Sequence, residues 1–576
     1  MTPEEAFAEM VADGEIVLDK LDFYAARLPD KIFIHYGEDD TRLTFAEFKR
    51  RSDALAAGLA EMDVMPGDRV SVLTRNSLVT ALSMFAIWRA GAVFAPVNFN
   101  LIGELLSYQL KDTAPAALIT DVSFAGILST MMEELPIERF IIHAPRLQDH
   151  DYTGAQLNRA FAGKQVVSFT DACENAGRVP SIPRGPFDLA NIIYTSGTTG
   201  PSKGVLQGFR WLSQYTFLSR MLGTEEDIIY CDLPLYHVGG AFALLARAVW
   251  RGNTIGLWDR FSASHFWDRI EECGASSCIL LDVMVPWLMS AAPRASDRAN
   301  TINRVHMQPL PANHHEVARR FGFDFVTAGF GQTESGHGFA ALIDEFGDEE
   351  GTLRALYRGF SKDQLRATAG RYGFAVVDGA KPLPKGFMGK PSPLLEAAIV
   401  DEHDNLCPPG VVGQLAFRPR FQGLLLQQYF NKPEATLKAL RNCWFHTGDA
   451  CSALEDGTFV FVDRMGGYFR VRGETVSSYD VETLINTHPK VRATAAVPVP
   501  ARVGEEEEIA VFIQLVEGET LTEEELRDHA RALMPKYMVP THVRFIEALP
   551  LTPTSKVEKY KLKRRILDEL GIAPRT

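Results

Sequence analysis

The chain has 576 residues, 46% hydrophobic and 23% charged, with a formal net charge of −14. That profile belongs to a soluble globular protein of several domains at ~100–200 residues each, and it argues against nucleic acid or an anionic membrane as the main partner. The start Met1-Thr-Pro-Glu-Glu-Ala-Phe lacks the basic lead-in and apolar core of a secretory signal, and seven scattered cysteines without a C-x-x-C pair fit reduced thiols in the cytoplasm rather than a zinc site.

In chain order, Leu43-Thr-Phe-Ala-Glu reads as a helix start, with Thr44 as cap and Glu47 three residues on. Phe48, Leu55, Leu59 and Met62 continue it as one buried face. Pro66-Gly67-Asp68 is a turn and Arg69 to Leu73 a strand. The apolar stretch Val79 to Val97 is broken by Arg89, Gly91 and Pro96, so it reads as a buried helix turning into a strand, not an integral membrane segment. Helix and strand lengths alternate through Ile119, Phe140 and Ile192, which predicts parallel sheets flanked by helices.

Leu189 to Ile193 reads as a strand and Gln207 to Leu222 as a helix. Between them, Thr195-Ser-Gly-Thr-Thr-Gly-Pro-Ser-Lys203-Gly204 gathers glycines, hydroxyls and one lysine. Glycine tolerates the backbone angles that aim several N–H groups into one hollow, hydroxyls add donors, and Lys203 adds a compact charge, so the expected guest is a phosphate. The nucleotide loop G-x-x-x-x-G-K-[ST] does not fit: only two residues separate Gly200 from Lys203, and Gly204 follows it.

Further blocks follow. They are Leu233-Pro-Leu-Tyr-His237-Val-Gly-Gly240, Phe330-Gly-Gln-Thr-Glu334, Trp444-Phe-His-Thr-Gly-Asp449, Asp463-Arg464 and Pro553-Thr-Ser-Lys556. Residues 341–375 are acidic and then polar with helical spacing; the resemblance given below implies a much shorter link to Gly386, so they are expected to be an insertion, a surface helix pair near the active-site mouth that is equally a decoration or a lid. Two adjacent glycines in Asp463-Arg-Met-Gly-Gly-Tyr468 suit a hinge. From Ser477 onward the pattern is helix, strand, strand, helix.

These blocks, in this order from about residue 20 to 565, resemble the adenylate-forming superfamily of acyl-CoA synthetases, peptide-synthetase adenylation domains and beetle luciferases. The resemblance implies an α/β fold: a large N-terminal domain (1–463) with flanked mixed and parallel sheets, and a small α+β C-terminal domain (464–576) on a hinge. It implies a carboxylate joined to the α-phosphate of ATP with loss of pyrophosphate, then transfer of the acyl group to the CoA thiol with release of AMP. Thr195, Ser196, Gly197, Thr198, Thr199, Gly200 and Lys203 would hold the β- and γ-phosphates. Glu334, with Thr195 nearby, would bind Mg²⁺. Gly331 and Gln332 belong to the nucleotide site, and Thr333 would touch the α-phosphate. Asp449 and Arg464 would hold the ribose, and Lys556 would bridge carboxylate and α-phosphate. Arg472, Gly473 and Glu474 would serve CoA, with His237 between acid and pantetheine channel. Val238, Gly239, Ala328 and Gly329 would line the acid pocket, together with the stretch Leu281 to Pro286.

The sequence departs from the family where a Gly-Gly-Ala-Pro-like run should face adenine, here His306-Met-Gln-Pro-Leu310, and where Ser555 replaces the glycine before Lys556. With Phe261-Ser-Ala-Ser-His-Phe-Trp267, the first departure resembles the carnitine/crotonobetaine-CoA ligase branch. The acid is therefore expected to be small or medium, with a betaine-like one in view. Trp211 and Trp287 are then aromatic faces for a quaternary ammonium group, set against core packing for each. A stand-alone enzyme that loads a carrier protein is the alternative, and a homodimer is the default assembly.

Overall fold

The computed structural model describes the chain except residues 196–201, 282–283, 385, 466–467, 472–473, 502–506, 535, 552–556 and 573–576, and except the side chains at 464, 468, 470, 474, 475 and 477. Thr44 caps the helix Phe45–Glu61 with Glu47 closing the capping box, and Phe48, Leu55, Leu59 and Met62 are all buried. The stretch after Asn76 is a helix, Ser77–Arg89, followed by the strand Val93–Pro96. The helix is buried almost all round, because it is sandwiched inside the protein.

Two large sheets carry the N-terminal domain. A seven-stranded sheet runs Gln165–Ser168, Arg139–His143, Ala117–Asp121, Arg69–Leu73, Val93–Pro96, Leu189–Thr195, Lys203–Gly208, parallel except for its last pair. The second is mixed. Its parallel half contains Ile32–Tyr36, Ile228–Cys231, Ser277–Leu281, Arg304–Gln308 and Phe325–Gln332. Its antiparallel half continues through Gly336–Asp344 and Phe387–Pro391 to Phe459–Arg464 and Phe445–Ala453. One hydrophobic cluster joins the sheets, with Val70, Phe94 and Ile119 from one and Phe33, Ile229 and Val305 from the other.

The smaller C-terminal domain is built on Val491–Pro500, Glu507–Leu515 and His542–Phe545. Strand alternation explains its two cores: Ile509, Val511 and Ile513 pack with the helices Ser478–Ile485 and Glu523–Leu533, while Ala510 and Phe512 face Leu562 and Ile566 of Lys559–Leu570. Among the described residues no helix is long and apolar enough to cross a membrane.

Three expectations are corrected. The segment after the glycine-rich loop is not helical from Gln207: Lys203–Gly208 is a strand antiparallel to Leu189–Thr195, and the helix is Phe209–Met221. Residues 341–375 are not a helix pair. Residues 341–344 lie in the strand Gly336–Asp344, a single helix Lys362–Arg371 follows, and Ala375–Asp378 returns parallel to that strand. The C-terminal pattern holds a third strand, His542–Phe545.

Candidate active site

The hairpin Leu189–Thr195 and Lys203–Gly208 ends on the pair Thr195 and Lys203. Ser196, Gly197, Thr198, Thr199 and Gly200, expected to bind phosphate, lie outside the described residues. The segment 427–430 runs beside the hairpin: Leu206 N donates to Gln428 O (3.0 Å) and Phe430 N to Gly204 O (2.7 Å). That places Tyr429 at the hairpin mouth. The Lys203 ammonium sits 4.7 Å from its ring centroid, within cation–π range, and its hydroxyl donates to Glu334 Oε1 at 3.0 Å. Burial first, then the Glu334 charge, pushes the phenol well above its ordinary value, so Tyr429 stays a donor. Nothing in the sequence motifs singled Tyr429 out; it becomes visible only as the link between two predicted residues.

Thr333, Glu334 and Ser335 form the turn between the antiparallel strands Phe325–Gln332 and Gly336–Asp344. Neighbouring elements hold its backbone: Gln207 Nε2 donates to Thr333 O (2.7 Å), Trp211 Nε1 to Glu334 O (3.2 Å) and Leu426 N to Glu334 O (2.8 Å). The strand before the turn must run close to its partner, since a Cβ on Gly329 would lie 2.3 Å from Phe339 O and one on Gly331 2.9 Å from Gly336 O. Gln332 reaches across to Asp449, donating through Nε2 to Oδ2 and to Thr447 O (3.1 Å). Asp449 is only 1% exposed, and Asp449 and Arg464 are partners in register on adjacent strands.

A cavity of about 620 Å³ opens between these strands, the helix Phe209–Met221 and the segment after His237. His237, Val238 and Gly239 line it, as do Ala328, Gly329 and Gly331, and Gln332 and Asp449 stand at one end. His237 N donates to Pro234 O (3.2 Å) and its ring lies 4.4 Å from that of Tyr236. A π-helix, Gly239–Ala246, follows; its backbone passes so near Leu233 and Pro234 that a Cβ on Gly240 would lie 2.6 Å from both carbonyl oxygens. His306, Gln308, Pro309 and Leu310 line the wall where the glycine-rich adenine run was expected. Of the stretch Leu281 to Pro286, Leu281 is among the lining residues.

Thr195, Lys203, Thr333 and Glu334 gather beside this cavity, around Tyr429, rather than in its wall. Lys556, Arg472 and Gly473 lie outside the described residues, and of Arg464 and Glu474 only the backbone is described. Neither tryptophan forms an aromatic face of the cavity: Trp211 is buried against Tyr215, as core packing requires, whereas Trp287 is 56% exposed and stacked on Phe261. At the junction, Ser478 Oγ donates to Asp463 Oδ2 (2.5 Å) and accepts from Lys559 Nζ (2.5 Å), and Lys559 also pairs with Glu482 at 2.8 Å.

Comparison with known proteins follows this geometry. The family model for AMP-binding enzymes matches residues 21–423, and that for the AMP-binding enzyme C-terminal domain matches residues 480–556. A crotonobetaine/carnitine–CoA ligase of Salmonella arizonae is 26% identical over 564 residues, covering 96% of this chain and 100% of that protein. One from Escherichia coli O9:H4 is 26% identical over 530 residues, covering 91% and 93%. Among solved structures, ATP-bound MatB from Rhodopseudomonas palustris superposes with a TM-score of 0.74 at 22% identity, covering 96% of this chain and 99% of that one. The o-succinylbenzoate CoA synthetase of Bacillus subtilis with AMP gives 0.72 at 22%, covering 94% and 98%. With a match spanning more than half its length, the chain belongs to the family of AMP-binding enzymes.

Proposed function

We propose that the chain is an AMP-forming acid–CoA ligase, which makes an acyl adenylate from a carboxylic acid and ATP and then an acyl-CoA. The observation that carries this reading is the gathering of Lys203, Tyr429 and Glu334 beside a cavity that Gln332 and Asp449 line. A carboxylate has a poor leaving group; coupling it to AMP supplies a good one, and the site must offset phosphate charge and hold the acid in line.

In this reading the loop Ser196 to Gly200 offers backbone donors to the β- and γ-phosphates, and Lys203, steadied over the Tyr429 ring, adds charge. Thr333, on the turn pinned by Gln207, meets the α-phosphate. Asp449 accepts from the ribose hydroxyls, oriented by Gln332, with Arg464 as donor on the neighbouring strand. The Glu334 carboxylate and the Thr195 hydroxyl are hard oxygen donors that suit Mg²⁺, which when bound offsets phosphate charge. Lys556 bridges carboxylate and α-phosphate as a point charge. Residues 464–576 then turn about Asp463–Gly466 to bring Arg472, Gly473 and Glu474 to the site, with Gly473 leaving room for pantetheine and the His237 ring marking the boundary of the acid pocket.

The test follows pyrophosphate and AMP release from ATP with a panel of acids, with and without CoA. AMP release that needs both acid and CoA is expected; AMP release indifferent to CoA counts against the ligase. Lys556→Ala should abolish adenylation while largely sparing thioester formation from supplied acyl-AMP, and equal loss of both contradicts its role.

A further inference from the structure

The cavity runs inward along the strand Arg304–Gln308, whose lining residues descend from Gln308 to Arg304, about 13 Å at ~3.3 Å per residue. Arg247, Arg304, Ser219 and Leu222 are among its lining residues, and Arg304 and Leu222 meet at the start of that strand. Arg247 enters from the first residue after the π-helix Gly239–Ala246. The small residues Gly239, Gly240 and Ala243 precede it on the lining face and leave the space it looks into.

The two arginines are held differently. Arg304 donates through Nη1 to Leu222 O at 2.6 Å and lies 3.7 Å from Asp227 Oδ1. Asp227 also accepts from Thr224 N (2.7 Å) and Ser276 Oγ (2.7 Å). Arg247, by contrast, buries Nε with no hydrogen-bond partner, and it makes no ion pair among the described residues. Two guanidinium groups thus face one carboxylate that is already engaged. Asp227 does not line the cavity, and among the described lining residues the one carboxylate is Asp449. A buried cation without a partner is costly, and a guanidinium stays charged; a ligand anion would remove that cost. The walls between are largely apolar, including Leu233, Ile279 and Phe387.

We infer that Arg247 is the specificity-determining cation of the acid pocket, and that the acid activated here carries a second anionic group at its far end, a dicarboxylic acid whose distal carboxylate pairs with that guanidinium. The inference rests on the adenylation reading of the same cavity. The field within the pocket agrees: burial first, and then the Arg247 charge, holds His306 below the usual imidazole value, and burial, His306 and Arg247 together bring His337 down to about 4. The His306 ring already spends Nδ1 on Thr327 (3.1 Å) and Nε2 on Gln308 (3.1 Å), which leaves Arg247 as the group in this wall suited to an anion. A trimethylammonium acid would meet the same positive field at that end of the pocket.

The test measures acid-dependent pyrophosphate release by the full chain with ATP and Mg²⁺. Short and medium dicarboxylic acids, aliphatic and aromatic, are each set against the monocarboxylic acid of the same length and against a trimethylammonium acid. The wild type should give its highest kcat/KM with a diacid. Arg247→Met should lower the diacid-to-monoacid ratio of kcat/KM about 100-fold, as expected for loss of a charge-assisted bidentate contact. Arg247→Lys, which keeps the charge but not the fork, should lower it about tenfold, and this variant keeps the test open if the first does not fold. A wild type that prefers the monoacid or the trimethylammonium acid overturns the inference, as does a ratio unchanged in Arg247→Met or Arg247→Lys, and in each case adenylation itself stands. Absence of pyrophosphate release with every acid overturns the adenylation reading and this inference together.

Discussion

Replacing Asp449 by asparagine separates a ribose-binding carboxylate from a merely structural one. In the native chain Gln332 uses Nε2 for both Asp449 Oδ2 and Thr447 O, while its Oε1 is buried without a partner. In Asp449→Asn the carbonyl oxygen can still accept from Gln332 Nε2, which puts the new amide donor where Oδ1 was. With the amide reversed it would meet Gln332 donor to donor, at a cost of about 1–3 kcal/mol in folding stability. In binding, two ribose hydroxyls would pass from a charged to a neutral acceptor, about 1 kcal/mol each since charge-assisted bonds are roughly twice as strong. That is about 2 kcal/mol, or about 30-fold in kcat/KM for ATP. ATP and 2′-deoxy-ATP, assayed with both proteins, complete a cycle: deleting one hydroxyl should cost the wild type about fivefold more than Asp449→Asn. Equal penalties for the deleted hydroxyl in both proteins would refute contact with the ribose, whatever happens to stability.

Lys559→Met removes the cation beside Glu482, whose carboxyl burial already pushes up; a loss of about 1–3 kcal/mol should appear in urea unfolding of the full chain, and an unmoved midpoint would contradict it. Gly240→Ala puts a methyl 2.6 Å from Leu233 O and Pro234 O, so an overpacking cost of about 1–3 kcal/mol and a raised KM for the acid are expected, whereas unchanged thermal stability would show that the π-helix yields freely. The segment 149–151 should dock in a pH-dependent way. Burial alone would lower His143 and His150 and raise Asp151; contacts with Asp151 and Asp259 instead raise both imidazoles, and His143 and Asn76 hold Asp151 down to about 2. The histidine contribution is full below about pH 6.5 and fades as pH rises through their folded values, while that of Asp151 is full above about 3.8 and is lost as pH falls through 2. Buried Asp121, whose carboxyl burial pushes up, also faces His143. Hydrogen exchange at 149–151 should therefore be slowest between about pH 4 and 6.5, and a flat profile would refute the linkage.

Local signals made part of this legible in sequence. The capping box at Thr44 and Glu47 and the Arg89, Gly91 and Pro96 interruptions set helix and strand ends by chemistry within a few residues. Lys203–Gly208 was harder: its pairing depends on Leu189–Thr195 and on the segment 427–430, so the helix-like spacing after Gln207 misled. His542–Phe545 is a short strand whose partner, Glu507–Leu515, lies well upstream in the chain. In the site, motif residues such as Gln332 and Asp449 could be named from their order, and they meet. Tyr429 and Arg247 could not, because each matters through partners distant in sequence or through the lack of one, which only packing creates.

The wall residue Phe374 gives the chain's first helix an unexpected bearing on selectivity. Phe374 lines the cavity and follows Tyr372, whose hydroxyl donates to Glu9 at 2.6 Å, while Arg371 pairs with the same carboxylate. Ala6 and Met10 share the apolar cluster of Phe374, and Lys362 and Arg366 tie the preceding helix to Asp324 and Asp344. Pro3–Ala12 thus works as a remote buttress. A purification tag or a trimmed start that unseats it would slacken one side of the pocket and blur the enzyme's choice among acids, although no residue of that helix touches the cavity.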